Sequence, residues 1–173
     1  MNLADTSAAV VAWIRDHESW MAPLVFVLAF LESFAFVSLL VPATLILLGI
    51  GALIGAGGFA FFPCFVAATA GAFAGDWAAF ELAGWLGPGL VRIWPLSRYP
   101  AFLSQASEWF ARWGLAAVFF GRFFGPLRAG IPLVAGIARM PRLGFQAANL
   151  ASALIWAAGI LAPGALGLRW LMG

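Results

Sequence analysis

Three charged side chains of this sequence stand inside long apolar segments, where a charge is costly. Glu32 follows the run PLVFVLAFL, and Arg122 and Arg128 lie in LAAVFFGRFFGPLRAGIPLVAGI. One charged side chain at the centre of a bilayer costs about 2.5–3.5 kcal/mol on insertion scales. An opposite charge about 4 Å away contributes about 4 kcal/mol at an effective dielectric of about 20. We therefore expect Glu32 to pair with one arginine, which leaves one guanidinium without a carboxylate.

The spacing of the two arginines favours binding of an anion. On an unbroken helix, positions six apart differ by about 240° around the axis and do not face one site. Gly125 and Pro126 interrupt the segment, so the two guanidiniums can converge. Guanidinium groups form bidentate hydrogen bonds with phosphate, and a half-helix after such a break directs free N–H groups to the same point. The predicted substrate-binding residues are Arg122 and Arg128, with Glu32 as their counter-ion. The alternative is that the three charges only tie two hairpins together.

Two further acids lie in AGAFAGDWAAFELAGWLG. Asp76 either pairs with an arginine inside the protein or marks the water boundary beside Trp77, and the sequence favours neither reading. Glu81 is nearer the end of the segment and is expected at the interface. Glu32 and Asp76 are therefore the candidates for proton coupling.

Other chemistry has little support in this sequence. His17 and Cys64 are the one histidine and the one cysteine, and neither has the neighbours that a catalytic triad, a dyad or a metal cluster requires. We expect no catalytic residue, no metal and no cofactor, and we do not expect an enzyme.

The composition indicates which solvent surrounds these residues. Hydrophobic residues make up 64% of the 173 residues and charged residues 9%, against roughly 45–50% and 25% in soluble domains. A soluble domain is effectively excluded. The nine basic residues are all arginine and are scattered through or beside apolar runs, so we expect no nucleic acid as a partner.

The first part of the chain predicts three apolar helices after an amphipathic one. Residues 3 to 18 have an amphipathic pattern and lack the basic start of a signal peptide. From Ser33 to Gly75 no charged residue occurs, and this stretch is about twice the roughly 20 residues that one spanning helix needs. We divide it at Pro42 and at a glycine-rich run into residues 20 to 40, 43 to 56 and 60 to 87. The short middle piece after a proline predicts a re-entrant hairpin.

The second part predicts the same order of elements. Residues 88 to 114 are polar and interfacial, residues 115 to 140 read as a second re-entrant hairpin, and residues 143 to 168 can span a membrane once. The expected breaks in the two hairpins are Pro42, Gly125, Pro126, Gly130 and Pro132. The glycine pairs 51/55, 71/75 and 121/125 are typical of close helix packing.

The chain contains a predicted internal repeat. A shift of 90 residues places Glu32 over Arg122 and Pro42 over Pro132, and a shift of 80 places Gly84 over Gly164. We expect a single membrane domain over residues 1–173, with halves at about 3–87 and 98–170. Each half has one net crossing, so the second half is inverted, and paired broken segments in inverted halves mark a transporter's binding site. The alternative is that apolar, glycine-rich sequence aligns easily with itself.

Residues 119 to 156 resemble the signature of a known family. The stretch FFGRFFGPLRAGIPLVAGIARMPRLGFQAANLASALIW is similar to that of the DedA family, also called the VTT-domain or SNARE-associated Golgi protein family. Supporting pieces are Glu32 ahead of VPAT, Gly75-Asp76, the GWLG at residues 84 to 87, and Trp156. The resemblance covers roughly residues 20 to 168.

The resemblance implies an all-α polytopic protein of the bacterial plasma (inner) membrane with two opposed re-entrant hairpins. It also implies translocation of lipids, either a polyprenyl-phosphate carrier such as undecaprenyl phosphate or a phospholipid, with coupling to protons in some members. Glu32 matches the family's embedded acid, and Arg122 and Arg128 match its two arginines. The chain departs from the family at Thr44, where many members have a second acid, and this departure puts a two-carboxylate proton relay in doubt.

The sequence therefore predicts a lipid translocase whose partners are membrane lipids with a phosphate head group. A second hypothesis is a membrane structural or assembly factor without transport activity that maintains the cell envelope. A membrane-embedded hydrolase is disfavoured because no nucleophile and base can be assembled. The sequence leaves the lipid, the driving ion and the oligomeric state open, a homo-oligomer included.

Overall fold

The structure is a computed structural model of the 173-residue chain. It describes residues 18–34, 43–56, 59–92, 97, 100–124 and 127–172. Within these parts the chain is helical with short turns, and no residue is in a β-strand. The expected all-α class is therefore confirmed for the described residues.

Seven α-helices and one short 3-10 helix form the described parts. Their bounds are Glu18–Ser33 (α1), Ala43–Gly55 (α2), Phe61–Leu86 (α3), the 3-10 helix Gly87–Arg92, Pro100–Trp113 (α4), Leu115–Gly121 (α5), Leu127–Ile137 (α6) and Arg142–Met172 (α7). The three apolar elements predicted before residue 88 correspond to α1, α2 and α3.

The two longest helices, α3 and α7, lie antiparallel at the centre of the fold. α3 has 26 residues and is therefore about 39 Å long at 1.5 Å per residue, and α7 has 31 residues. Near the end of α3 the ring of Phe80 stacks on Phe145 near the start of α7, with centroids 4.2 Å apart. At the other end of the pair, Phe61 of α3 and Ala165 of α7 line one cavity.

The second helix of each broken segment packs on one of these long helices. α2 packs on α7, and α6 packs on α3. A Cβ added to Gly164 of α7 would lie 2.5 Å from the backbone nitrogen of Ala52. A Cβ added to Gly136 of α6 would overlap the carbonyl oxygen of Phe80 and lie 3.0 Å from the nitrogen of Gly84. Glycine at both contacts lets the backbones approach this closely.

The predicted packing role of the glycine pairs is confirmed where the structure describes it. A Cβ on Gly75 of α3 would lie 2.6 Å from the carbonyl oxygen of Phe30 in α1, and Gly71 meets α1 one turn earlier. A Cβ on Gly51 of α2 would lie 2.9 Å from the carbonyl oxygen of Leu161 in α7. Small residues therefore set the distances of both α1 and α2 from the central helices.

Two residues expected to break the second hairpin lie inside a helix, so this expectation is wrong for them. Gly130 and Pro132 are buried residues of α6, and the chain breaks earlier, between α5 and α6. Pro132 stands in the second turn of α6, where its missing N–H leaves the Arg128 carbonyl without its helical donor. The other expected breaks and the amphipathic segment before residue 18 fall outside the described residues; these breaks are Pro42, Gly125 and Pro126.

The outer surface of the described helices is apolar. Leu143, Leu45 and Phe62 are 88%, 72% and 71% exposed. Residues 142–166 of α7 are long and apolar enough to cross a membrane, by length and composition. Extensive exposed apolar surface is typical of a protein that lies in lipid. The described fold is therefore consistent with a membrane protein.

The substitution Gly136→Ala should destabilise the fold by about 1–3 kcal/mol, because the added Cβ would overlap the backbone of α3 and force the helices apart. Gly159→Ala is the matched control, since a Cβ at this α7 glycine has nothing within 4 Å. Thermal unfolding of both variants in detergent measures the difference. Equal unfolding midpoints would contradict the close contact of α6 with α3.

Candidate functional site

The buried polar side chains of the described protein gather between the central helices. These side chains belong to Glu32, Ser33, Thr69, Asp76, Arg122, Asn149 and Ser152. All but Thr69 are linked by hydrogen bonds into two groups, and an arginine is at the centre of each. We call them the Arg122 group and the Arg128 group.

The Arg122 group joins three helices. Arg122 lies in the turn that directly follows α5, and its side chain is 2% exposed. Its Nη2 donates to Asp76 Oδ2 of α3 at 2.5 Å and to Asn149 Oδ1 of α7 at 2.6 Å. Its Nε donates to Ser152 Oγ of α7 at 3.0 Å, and its Nη1 donates to Ser33 Oγ of α1 at 3.4 Å. All three guanidinium nitrogens therefore have protein partners.

The acceptors around Arg122 are themselves held in place. Asn149 Nδ2 donates to the carbonyl oxygen of Phe73 in α3 at 3.0 Å, and the Ser152 hydroxyl donates to the Asn149 carbonyl at 3.0 Å. These bonds fix the amide of Asn149 with its oxygen toward the guanidinium. The Arg122 group is thus a closed network in which each charge is paired.

The Arg128 group joins α1, α2 and α6 through Glu32. Arg128 lies in the first turn of α6, and its Nη1 donates to Glu32 Oε1 at 3.0 Å. The Thr44 hydroxyl also donates to Oε1, and the backbone N–H of Ala43 donates to Oε2 at 2.9 Å. Ala43 is the first residue of α2, so the Glu32 carboxylate caps this helix, where negative charge is stabilised by the helix dipole.

Arg128 differs from Arg122 in one nitrogen. Its Nη2 is buried and has no hydrogen-bond partner among the residues that the structure describes. Its guanidinium carbon lies 5.2 Å from the centroid of the Trp156 ring, which gives a cation–π contact. A buried N–H group without a partner costs about 1–3 kcal/mol. Arg128 Nη2 is therefore the atom of the site that can donate a hydrogen bond to a further ligand group.

The structure resolves the two readings of Asp76 in favour of an interior ion pair. Asp76 pairs with Arg122, and Glu32 pairs with Arg128 at 3.0 Å. The two arginines therefore have two carboxylates, and the unpaired guanidinium expected from the sequence does not occur. Glu32 of the Arg128 group and Ser33 of the Arg122 group are adjacent residues of α1. The two groups thus form one site that is formally neutral.

Sequence reasoning missed three members of the site. Ser33 follows Glu32 directly, and Asn149 and Ser152 are polar residues three positions apart in the uncharged part of α7. Such a spacing places both side chains on one face of a helix. Polar residues on one face of an otherwise apolar helix were the available signal, because such residues bond across helices inside membranes.

Glu81 lies apart from this site, at the end of α3. Its Oε2 accepts a hydrogen bond from Arg142 Nη2 at 2.9 Å, and its Oε1 accepts one from Trp77 Nε1 at 3.2 Å. The side chains of Arg142 and Glu81 are 75% and 38% exposed. In the described ranges, three or more His, Cys, Asp or Glu residues do not come together in a way that could hold a metal ion.

Comparisons with known proteins bear on this site. A family model described as the VTT domain matches residues 41–166, which include every residue of the two groups except Glu32 and Ser33. The inner membrane protein YabI of Escherichia coli (strain K12) is 35% identical over 143 residues, or 82% of this chain and 56% of YabI. No solved structure matches the chain.

Two further relatives come from the same organism. The inner membrane protein YghB is 35% identical over 135 residues, or 77% of this chain and 61% of YghB. The inner membrane protein YqjA is 30% identical over 154 residues, or 83% of this chain and 70% of YqjA. The chain therefore spans little more than half the length of YabI and more of the other two.

Asp76→Asn should destabilise the protein by about 3–5 kcal/mol, because it leaves the buried Arg122 guanidinium without its carboxylate. The double variant Asp76→Asn, Arg122→Gln should recover part of this loss, since no unpaired charge remains. Thermal unfolding in detergent measures all variants, with the exposed Glu108→Gln as control. Strictly additive losses in the double variant would show that the two side chains do not act as a pair.

Proposed function

Since the chain belongs to the VTT-domain (DedA) family of membrane proteins, we propose that it is a lipid translocase of the bacterial plasma (inner) membrane. Its cargo is a lipid phosphate, either a polyprenyl-phosphate carrier or a phospholipid. The observation that carries this proposal is the buried Nη2 of Arg128, a charged donor without a partner in the described residues. A phosphate oxygen supplies the strong acceptor that this donor lacks.

In the proposed mechanism Arg128 holds the phosphate while the lipid tail stays in the bilayer. Nη2 bonds the first phosphate oxygen directly. Nη1, which now donates to Glu32, turns to a second oxygen when Glu32 releases it, and the contact becomes bidentate. The Trp156 ring keeps the guanidinium plane in place during this exchange.

Arg122 has a positioning role in this proposal. Its nitrogens are taken by acceptors of α1, α3 and α7, and its side chain is 2% exposed. Binding a phosphate at Arg122 would first have to break several buried hydrogen bonds. We therefore assign phosphate binding to Arg128, with Glu32 as its counter-ion, whereas the sequence predicts that both arginines bind.

The proposed architecture is a multi-pass domain of two inverted halves with opposed re-entrant hairpins. The reciprocal packing of α2 on α7 and of α6 on α3 supports it. The repeat superposes Gly84 of α3 on Gly164 of α7. A Cβ on Gly84 would contact Gly136 of α6, and a Cβ on Gly164 would contact the backbone of Gly51 in α2. Each long helix therefore packs on a hairpin helix of the other half. In such proteins the binding site lies at the repeat interface near the bilayer midplane. Arg128 and Glu32 bridge the two hairpins at such an interface.

Glu32 is the proposed site of proton coupling. Protonation would remove its charge and weaken its bonds to Arg128 and to the start of α2. The guanidinium would then be free for phosphate, and deprotonation would help to expel it. Asp76 is the weaker candidate, because it lies within the closed Arg122 group.

The alternative, a structural or assembly factor without transport, is favoured by the complete bonding of Arg122. A network without an unused donor acts as a staple between helices. The two proposals differ in the role of Arg128. In a lipid translocase Arg128 binds the phosphate of the transported lipid, whereas in an assembly factor it only holds helices together and no lipid is transported.

Arg128→Gln should lower lipid translocation by about tenfold or more, because it loses a charge-assisted hydrogen bond to the phosphate that contributes about 1.5–3 kcal/mol. Glu32→Gln should also lower translocation, because an uncharged side chain cannot displace the phosphate from Arg128. Purified protein in liposomes, with a fluorescent polyprenyl phosphate and a fluorescent phospholipid in parallel, measures the flux. The control is Arg112→Gln, because Arg112 is an exposed α4 residue that lies over the Trp113 ring. Full activity of Arg128→Gln would overturn the assignment, and absence of flux in the wild type would favour the assembly factor.

Glu32→Gln should bind the lipid phosphate more tightly than the wild type, because its uncharged side chain competes less strongly for the Arg128 guanidinium. Mass spectrometry of the lipid retained by the two detergent-purified proteins measures this difference. Equal retention by the two proteins would show that Glu32 does not control the arginine.

A further inference from the structure

A cavity with charged residues in its lining lies at the end of the central helix pair, apart from the Arg122 and Arg128 groups. Its volume is about 550 Å³, and it is bounded by the end of α3 and by the turn between α6 and α7. Its lining includes Phe80, Glu81, Trp85, Arg139, Met140 and Arg142. None of them belongs to either arginine group.

The charges that line this cavity favour an anion. Arg142 is paired with Glu81 at 2.9 Å. Arg139 is exposed, and its guanidinium has no hydrogen-bond or ion-pair partner in the part of the chain that the structure describes. One acid and two arginines give the cavity a formal charge of +1. Two guanidiniums at one cavity are suited to the oxygens of a phosphate group.

The backbone conformation of Arg139 is one that disfavours an arginine. Arg139 N–H donates to the Gly136 carbonyl and Met140 N–H to the Ala135 carbonyl, both at 3.0 Å. These two bonds form a Schellman motif, in which the residue at the position of Arg139 is usually glycine. Arg139 has a φ of 53°, in the left-handed region that disfavours a residue with a Cβ. An arginine held in a glycine conformation indicates a use for its side chain.

The aromatic residues around the cavity place it where lipid head groups lie. Trp85 is 82% exposed, and Trp77, which bonds Glu81, is 47% exposed. Exposed tryptophans next to charged residues at a helix end are typical of the membrane–water interface. Phe80 and Met140 form an apolar side of the cavity, which can contact the hydrocarbon part of a lipid but gives no binding partner to a free anion.

We propose that this cavity binds the phosphate of an anionic lipid head group at the membrane interface, with Arg139 and Arg142 as its ligands. The inference rests on the membrane location in the proposed function. It adds a second lipid site, one that holds the head group at the surface while Arg128 acts inside the protein. Glu81 orients Arg142 and limits the charge of the cavity.

The test uses Arg139→Gly, which removes the guanidinium and relieves the left-handed backbone. This variant should unfold at the same temperature as the wild type or above it, yet bind phosphatidylglycerol about tenfold more weakly, since it loses a charge-assisted bond. Arg142→Gln should weaken binding in the same direction, and Arg112→Gln should leave it unchanged. Native mass spectrometry of the purified full chain with phosphatidylglycerol, phosphatidylcholine or inorganic phosphate measures the affinities.

Three results would overturn the proposal. The first is that Arg139→Gly binds phosphatidylglycerol as tightly as the wild type does, and the second is that the wild type binds phosphatidylglycerol and phosphatidylcholine equally well. The third is that an equal concentration of inorganic phosphate displaces the lipid. The third result would indicate a free-phosphate site instead. This experiment measures lipid binding and not lipid translocation. Its result is therefore independent of whether the protein translocates lipid, and the two proposals can fail separately.

Discussion

The fold depends on keeping two arginine side chains inside an apolar protein without unpaired charge. Arg122 meets this constraint with one carboxylate and three neutral acceptors, which come from α1, α3 and α7. An arginine cannot lose its proton to lower the cost of burial. The helices that supply its partners must therefore meet at one point, and the central antiparallel pair α3 and α7 passes on both sides of it.

Each of the two arginine groups pairs one guanidinium with one carboxylate, but the groups differ in whether every guanidinium nitrogen has a hydrogen-bond partner. In the Arg122 group, all three guanidinium nitrogens have partners, and the Asn149 amide is bonded on both sides. In the Arg128 group, the carboxylate accepts three donors while one guanidinium nitrogen is left with none among the described residues. A complete network gives rigidity, and an incomplete one gives a place for a ligand. This contrast is the physical basis for the proposal that Arg128 binds the ligand and that Arg122 has a positioning role.

Glycine makes the close approach of these helices possible. At Gly75, Gly136 and Gly164 a Cβ would collide with the backbone of the neighbouring helix. Without a side chain at these positions, α1 can bring Glu32 and Ser33 to the arginines, and α6 can bring Arg128 to Glu32. Packing between small residues and bonding between charged ones therefore support each other, as expected where helices do not gain from hydrophobic burial against lipid.

The amino-acid sequence was enough to predict the helical class, the approximate bounds of the apolar helices, the packing role of several glycines and the interior positions of Glu32, Arg122 and Arg128. Composition, spacing and the cost of an apolar environment suffice for these, because each is a property of one residue or one segment. The partner of each arginine was decided only by the tertiary structure. Asp76 was equally compatible with the water boundary, and Ser33, Asn149 and Ser152 had no charge to mark them. Which acceptor meets which donor depends on distances between helices far apart in the chain, and only packing fixes those distances.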